Sequence, residues 1–221
     1  MFDVIFNKND YIKNREIRYL IHFIHVLLIL ISMQKIYVYI GVCTIVAFGL
    51  KMWVIEGYTI PSASMQPTLN IGDWVWIKKL PIYAPRRGEL IAFSFPRDNK
   101  TQLIKRCIGL PSDSIAKING QYALQQNNPN AYVIPKKGQK MTFSKENFGF
   151  YQPLIQNYEK KQAGLIGDEI YINNQINDTF TFTQNYYYVL GDNTENSYDS
   201  EDWGLMPESC LIGKAFFIWK K

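Results

Sequence analysis

Two apolar stretches, Tyr19 to Met33 and Ile36 to Leu50, stand nearly back to back close to the N-terminus, with only Gln34 and Lys35 between them. No other feature of the 221 residues limits the fold so severely. A helix needs ~20 apolar residues to cross the hydrocarbon core of a bilayer. Each stretch alone is slightly short for that. The second is long enough if it continues through Lys51 to Ile55, with the Lys51 amine snorkelling to the interface. No small-residue cleavage site of the usual form follows either stretch, so a retained anchor is expected rather than a removed leader. Lys8, Lys13, Arg15 and Arg18 precede the first stretch and argue for a cytoplasmic N-terminus. One span then delivers the remainder outside and two deliver it inside, while a hairpin entered from outside would oppose the charge bias. At least one span around 36–55 is expected. The role of 19–33 stays open, as does burial of both stretches as core helices of a soluble protein.

Past residue 57 the helical period gives way to short β-type runs between turn residues. Trp74 to Ile77 follows the turn Ile71-Gly-Asp73, Glu89 to Phe95 follows Arg87-Gly88, and Leu103 to Leu110 is ended by Pro111. Ser114 to Ile118 runs into Asn119-Gly120, a strong hairpin signal. Glu169 to Ile172, Tyr186 to Leu190 and Ala215 to Trp219 complete the series. The fold expected is mostly β: an antiparallel sheet domain over 57–120 and 168–221, behind a tail and anchor at 1–56. Between Gln121 and Gly167 the chain turns to Asn, Gln, Lys and Pro with weak periodicity, which reads as an inserted cap (121–167) carrying no motif.

The net charge of +5 is scattered, with no basic run, so nucleic acid is not an expected partner. The two histidines, His22 and His25, both fall inside the first apolar stretch. A Ser-His-Asp or Cys-His site in the β region is thereby excluded, and a catalytic metal is not expected. His22 and His25 share a helical face, but two residues do not complete a metal site, and an interfacial or helix-facing role is the simpler reading. Of the three cysteines, Cys43 lies in an apolar stretch, leaving Cys107 and Cys210 as the one pair able to form a disulfide in the outer part.

Without histidine, a nucleophilic serine must be activated by a lysine or a carboxylate. A lysine serves only when neutral, which requires burial or a positive neighbour. In Ile60-Pro-Ser-Ala-Ser-Met-Gln-Pro-Thr-Leu69, two prolines bracket small residues and hold Ser62 and Ser64 in a defined turn. In Leu103-Ile-Lys-Arg-Cys-Ile-Gly-Leu-Pro111, strand alternation puts Lys105 and Arg106 on opposite faces, so Lys105 can point inward.

These segments resemble the type I signal peptidases. Pro61-Ser-Ala-Ser-Met-Gln-Pro-Thr-Leu69 is similar to that family's nucleophile box, Arg87-Gly-Glu-Leu-Ile-Ala-Phe93 to the strand box after it, and Lys105-Arg-Cys-Ile-Gly-Leu-Pro-Ser-Asp113 to its lysine box. Gly191-Asp-Asn-Thr-Glu-Asn-Ser-Tyr-Asp-Ser-Glu-Asp-Trp-Gly204 resembles the last box. The likeness covers roughly 36–113 and 186–220. It implies a membrane-bound serine endopeptidase, at the outer face of the bacterial inner membrane, that cuts signal peptides from exported preproteins after small residues. Preproteins and the lipid bilayer are its implied partners, and no cofactor or metal is needed. Carried over by position, Ser64 is the nucleophile and Lys105 the general base. The Ser64 N–H and Ser62 hydroxyl form the oxyanion hole. Ser197 orients the lysine amine, Asp199 supports it, and Ile60, Met65, Leu69 and Ile104 line shallow apolar pockets.

Three positions depart from that pattern. Ala63 and Ser112 stand for glycines, which is mild where φ is negative. Glu201 stands where the family has arginine, so an arginine brace on Asp199 must be rebuilt or lost. A peptidase dedicated to a single secreted or pilin-like substrate, or an inactive tethered binding domain, remain the other readings. Ser32-Met-Gln-Lys35 fits the Ser-x-x-Lys pattern of penicillin-binding enzymes, but the chain lacks the Ser-Asp-Asn and Lys-Thr-Gly partners. Trp53, Trp74, Trp76 and Trp203 as a group suit a surface dipping into the membrane interface, and core packing is the alternative for each.

Overall fold

The β-branched and aromatic runs pair as strands, some alternating so that one face is buried and the other open, as at Trp74–Lys79, and some buried almost throughout, as at Tyr186–Leu190. The computed structural model describes residues 22, 23, 25, 33, 35–46, 49, 54–79, 83–118, 121–125, 128 and 130–221. In chain order the strands are β1 (Ile55–Thr59), β2 (Trp74–Lys79), β3 (Leu90–Ser94), β4 (Gln102–Gly109), β5 (Ser114–Ile118), β6 (Gln121–Leu124), β7 (Tyr132–Val133) and β8 (Lys140–Thr142). After a helix at Lys145–Asn157 come β9 (Ala163–Ile166), β10 (Glu169–Ile172), β11 (Gln175–Ile176), β12 (Thr179–Thr181), β13 (Tyr186–Leu190), β14 (Met206–Pro207) and β15 (Leu211–Trp219). A short helix, Ser200–Trp203, precedes β14.

Seven strands form the main antiparallel sheet in the order β1-β2-β15-β3-β4-β13-β14. The last long strand thus enters its centre, between the second and the third. Ile60, Met65, Leu69, Val75, Ile77 and Ala92 form one core cluster, and Ile91, Phe93, Cys107, Val189 and Met206 form part of another. Three smaller sheets, β6-β5-β7, β8-β12 and β9-β10-β11, gather with the helix Lys145–Asn157 around a third cluster that includes Phe148, Tyr151, Ile155 and Phe182. Residues 121–167 therefore share their core with β5 on one side and with β10 and Phe182 on the other. Chain contacts divide at residue 53, into Met1–Trp53 and Val54–Lys221.

Within the first unit, residues 35–46 are helical. Ile36, Tyr37, Val38, Tyr39 and Ile40 are all exposed, so that helix has no polar side there. Apart from 22, 23, 25, 33, 49, 54 and 55, the rest of the stretch 19–33 and of the expected span 36–55 lies outside the described residues, and among the described residues no helix is long and apolar enough to cross a membrane.

The structure departs from the sequence reading in three places. The helix Lys145–Asn157 occupies a segment with no evident period. Phe148, Tyr151, Leu154 and Ile155 do mark a helical face, but Gly149 and Pro153 obscure it. Trp203 is not at the surface: it is 8% exposed and packs against the rings of Phe93 and Phe95. Ser112 has φ of 75°, the left-handed region in which glycine is free and an L-residue strained, so its replacement of glycine is not mild. Ala63 is not among the positive-φ residues. Cys107 and Cys210 are free thiols buried in the same core cluster. Asn119 and Gly120 lie outside the described residues, but Ile118 pairs with Gln121 on either side of them.

Candidate active site

The segment between β1 and β2 is closed on itself before any partner touches it. Ile60 N–H donates to Asp73 O and Gly72 N–H to Ile60 O, both at 2.9 Å. The buried Asp73 carboxylate caps the base of the loop, accepting from the Asn70 N–H (2.8 Å) and the Lys221 N–H (3.0 Å), and these donors hold it below the usual carboxylate range. Met65 and Leu69 point down into the core at 2% and 0% exposure. Ser62 and Ser64 are left on the outer side, with their hydroxyl oxygens 3.4 Å apart.

Above these residues lies a cleft of about 140 Å³. Ile60, Met65 and Ile104 form part of its wall, along with Ser62 and Ser64. Tyr58, Ala92, Gln102 and Leu103, which sequence reasoning did not single out, complete much of the rest. Leu69 sits wholly buried in the core cluster that Ile60 and Met65 share.

β4 supplies the lysine. Burial alternates along it, so Lys105, Cys107 and Gly109 are buried while Arg106 and Ile108 are partly open. At 2% exposure the Lys105 amine has lost nearly all water, and this burial pushes its pKa below the ordinary lysine value. The carboxylates of Asp199, Asp202 and Asp192 pull in the other direction, and desolvation outweighs them. Nζ donates to Ser197 Oγ at 2.9 Å, and Ser197 Oγ donates to Asp199 Oδ2 at 2.6 Å. Among the described residues no direct hydrogen bond joins Lys105 Nζ to Ser64 Oγ.

Asp199 is held without an arginine. Its Oδ2 also accepts the Gly191 N–H at 2.9 Å, its Oδ1 accepts the Glu201 N–H at 3.1 Å, and it is the N-cap of the helix Ser200–Trp203. Two backbone donors and one hydroxyl thus satisfy a carboxylate that is 4% exposed. Glu201 itself has its pKa raised, first by burial and then by the carboxylates of Asp199 and Asp202.

The serine loop and the lysine side meet at Gly191. A Cβ built there would lie 2.1 Å from Ser197 Oγ and 2.5 Å from Ser64 O, so only glycine allows the two to approach this closely. Next to it, the Asn193 N–H donates to Ser64 O at 3.1 Å. Asp192 receives Arg106 in a two-pronged pair, Nε to Oδ1 at 2.7 Å and a terminal nitrogen to Oδ2 at 2.5 Å. Burial, the largest single influence, pushes the Asp192 carboxyl up, but the hydrogen bonds from Arg106 and Thr68 and the positive charges of Arg106 and Lys105 together outweigh it and leave it below the usual range. Asn193 and the Arg106–Asp192 pair went unmarked in the sequence. Their only signal was membership of a Gly-Asp-Asn turn and an arginine facing away from Lys105.

A serine hydroxyl on a closed turn beside an apolar cleft, a buried lysine amine bonded to a serine that meets the same turn at Gly191, and no histidine in the β region fit a serine–lysine hydrolase. A family model described as signal peptidase, peptidase S26, matches residues 33–220. The chain is 29% identical over 218 residues to the signal peptidase I of Aquifex aeolicus, covering 85% of this chain and 84% of that one. Against the signal peptidase I of Buchnera aphidicola subsp. Schizaphis graminum it is 31% identical over 221 residues, covering 79% and 70%. The chain belongs to the S26 family of signal peptidases.

Proposed function

We propose that this chain removes N-terminal signal peptides from exported preproteins, with Ser64 as nucleophile and Lys105 as general base. The observation that carries the assignment is the setting of Lys105: a buried amine, its pKa lowered by burial, bonded to Ser197, whose Oγ comes up to the Ser64 carbonyl across Gly191. Burial of this kind favours the neutral amine, the form that can take a proton from a hydroxyl, over the ammonium that a solvated lysine carries.

The steps follow from that. Ser64 Oγ attacks the scissile carbonyl as its proton passes to Lys105 Nζ. The oxygen of the tetrahedral intermediate takes up the negative charge and is met by the Ser64 N–H and the Ser62 hydroxyl. Lys105 then returns the proton to the departing amine, the C–N bond breaks, and an acyl-enzyme on Ser64 remains. Water, deprotonated by the neutral Lys105, hydrolyses the ester and restores Ser64. Nζ must reach Ser64 Oγ for the first step, and contacts of this kind commonly shorten only once substrate closes the site. A cleft of about 140 Å³ walled by Ile60, Met65 and Ile104 suits small side chains before the cut.

Membrane attachment belongs to the same reading. A helix over 35–46 that, past Lys35, carries Thr44 among otherwise apolar or aromatic exposed residues fits a lipid environment, as part of a span around 36–55. With the basic N-terminal tail inside, one span puts Ser64 at the outer face of the cytoplasmic membrane, where signal peptides emerge. Exposed Trp74, Trp76, Phe217 and Trp219 lie on one end of the main sheet, as rings suited to the headgroup zone.

The test is cleavage of a purified preprotein, with sequencing of the new N-terminus, by the parental chain, Ser64→Ala and Lys105→Ala. Both variants should be inactive while unfolding at the parental temperature. Parental-rate cleavage by either one sinks the assignment.

A further inference from the structure

Asn193 grips the nucleophile segment twice. Besides the backbone contact to Ser64 O, its side-chain Nδ2 donates to Ala63 O at 3.1 Å across 130 positions of sequence. A carbonyl can only accept, so the side chain must present its NH2 group there. Ala63 O and the Ser64 N–H belong to one peptide unit. That unit is planar, and in a trans peptide its C=O and N–H point in opposite directions. Whatever fixes the oxygen therefore aims the hydrogen. The other donor on Ala63 O, the Gln66 N–H at 3.0 Å, comes from within the same turn and moves with it. Asn193, by contrast, is carried on the loop after β13 that also holds Ser197 and Asp199, so it ties the peptide plane to the lysine side of the site.

We infer that Asn193 is the positioning residue of the oxyanion hole, orienting and polarising the Ala63–Ser64 peptide so that the Ser64 N–H faces the charge developing on the scissile oxygen. Donation to the carbonyl draws electron density through the peptide and makes its N–H a better donor, as in any chain of hydrogen bonds. The inference rests on the assignment of Ser64 as nucleophile and its N–H as oxyanion donor.

Its signature differs from that of a residue that only supports the fold. The oxyanion exists in the transition state and not in bound substrate, so loss of the orienting contact lowers kcat and spares KM. Removing a direct oxyanion donor lowers kcat by about 10²–10³, so a group acting through that donor should account for roughly 10- to 50-fold. Asn193 carries no charge, so its removal leaves the acid limb of the rate profile, set by Lys105, in place.

The experiment measures kcat, KM and the pH profile for cleavage of a signal-peptide substrate by the full chain in detergent micelles, for the parental protein, Asn193→Ala, Asn193→Asp and Ser64→Ala, with thermal unfolding of each. Asn193→Ala should lose roughly 10- to 50-fold in kcat with KM within about threefold and an unmoved acid limb. Asn193→Asp keeps the shape and the backbone contact but turns an oxygen toward Ala63 O, so it should lose more than the alanine variant. It also decides the matter if the alanine variant unfolds early. An Asn193→Ala kcat within twofold of parental, a loss confined to KM, or a fully active Asn193→Asp overturns the inference. Should Ser64→Ala keep parental activity, the site assignment falls with it; an inactive Ser64→Ala beside a parental-rate Asn193→Ala removes only the role of Asn193.

Discussion

At the scale of the residue, Lys105 is tuned by opposing influences, and their signs are separable. Burial favours the neutral amine, while Asp199 stands first among the three carboxylates that favour the ammonium. Activity that needs the neutral amine rises with pH through the Lys105 pKa and is lost below it. Replacing Asp199 by Asn removes the largest opposing charge, so the neutral form persists to lower pH. The ascending limb of kcat/KM in Asp199→Asn should therefore move toward acid. The amide also cannot reproduce every charge-assisted bond to Ser197 Oγ, Gly191 N–H and Glu201 N–H, each worth about 1.5–3 kcal/mol, so kcat should fall on the order of tenfold. A pH–rate profile of the variant checks both, and a limb shifted toward base contradicts the electrostatic account.

The same residues show what could be read in advance. Ser64 and Lys105 stood out as candidates by a proline-bracketed turn and an alternating apolar strand, while their roles were implied only by the resemblance of the boxes around them. Asp199 was doubtful in sequence, since Glu201 occupies the position of its expected brace. Its actual partners are backbone N–H groups, which no side-chain pattern can announce. Asn193 was hidden for the same reason, because both of its contacts run to carbonyls 129 and 130 positions away. The strain at Ser112 is a property of a backbone angle, and the residue type alone did not disclose it.

At the scale of the element, the strands were legible and their order in the sheet was not. Alternation in β2 and β4 and the continuous apolar run of β13 depend on local sequence, whereas the insertion of β15 between β2 and β3 is set by long-range pairing. The loops beyond these strands are joined by Arg106, which spans from β4 to Asp192, Gly88 O at 2.7 Å and Thr68 Oγ at 3.3 Å. That guanidinium therefore bolts three segments together: the end of the serine loop, the turn before β3 and the loop after β13. A lysine offers a point charge in place of a planar fork and cannot make the two-pronged pair. Arg106→Lys should cost about 1.5–3 kcal/mol of stability, which for a chain of this size lowers Tm by roughly 3–10 °C. Because Thr68 and Asp192 flank the serine loop and Gly191, peptide cleavage should weaken in parallel. Thermal unfolding followed by circular dichroism reads the first effect, and an unchanged Tm would show that the pair is not structural.

At the scale of the whole molecule, the cleft at Ser64 and the largest cluster of exposed rings on the main sheet are separate surfaces. Strand pairing sets Trp219 opposite Trp74 and Phe217 opposite Trp76, which puts four exposed rings on one face of β2 and β15. Residues opposite one another across a ladder share a face, so these rings form a single patch and not scattered exposure. None of the four lines the cleft at Ser64. If the patch rests in the headgroup zone, it adds to the anchor by holding the cleft near the bilayer, where substrates tethered by their signal peptides are concentrated. Substrates free in solution gain nothing from that. Replacing Trp74 and Trp219 together by Ser should therefore leave cleavage of a short soluble peptide within about twofold, while processing of a membrane-inserted preprotein in vesicles drops about tenfold or more. Paired rate measurements on the two substrates decide the point. Equal losses on both would mean that the rings serve the sheet's stability, and equal retention would mean that the patch does not engage lipid.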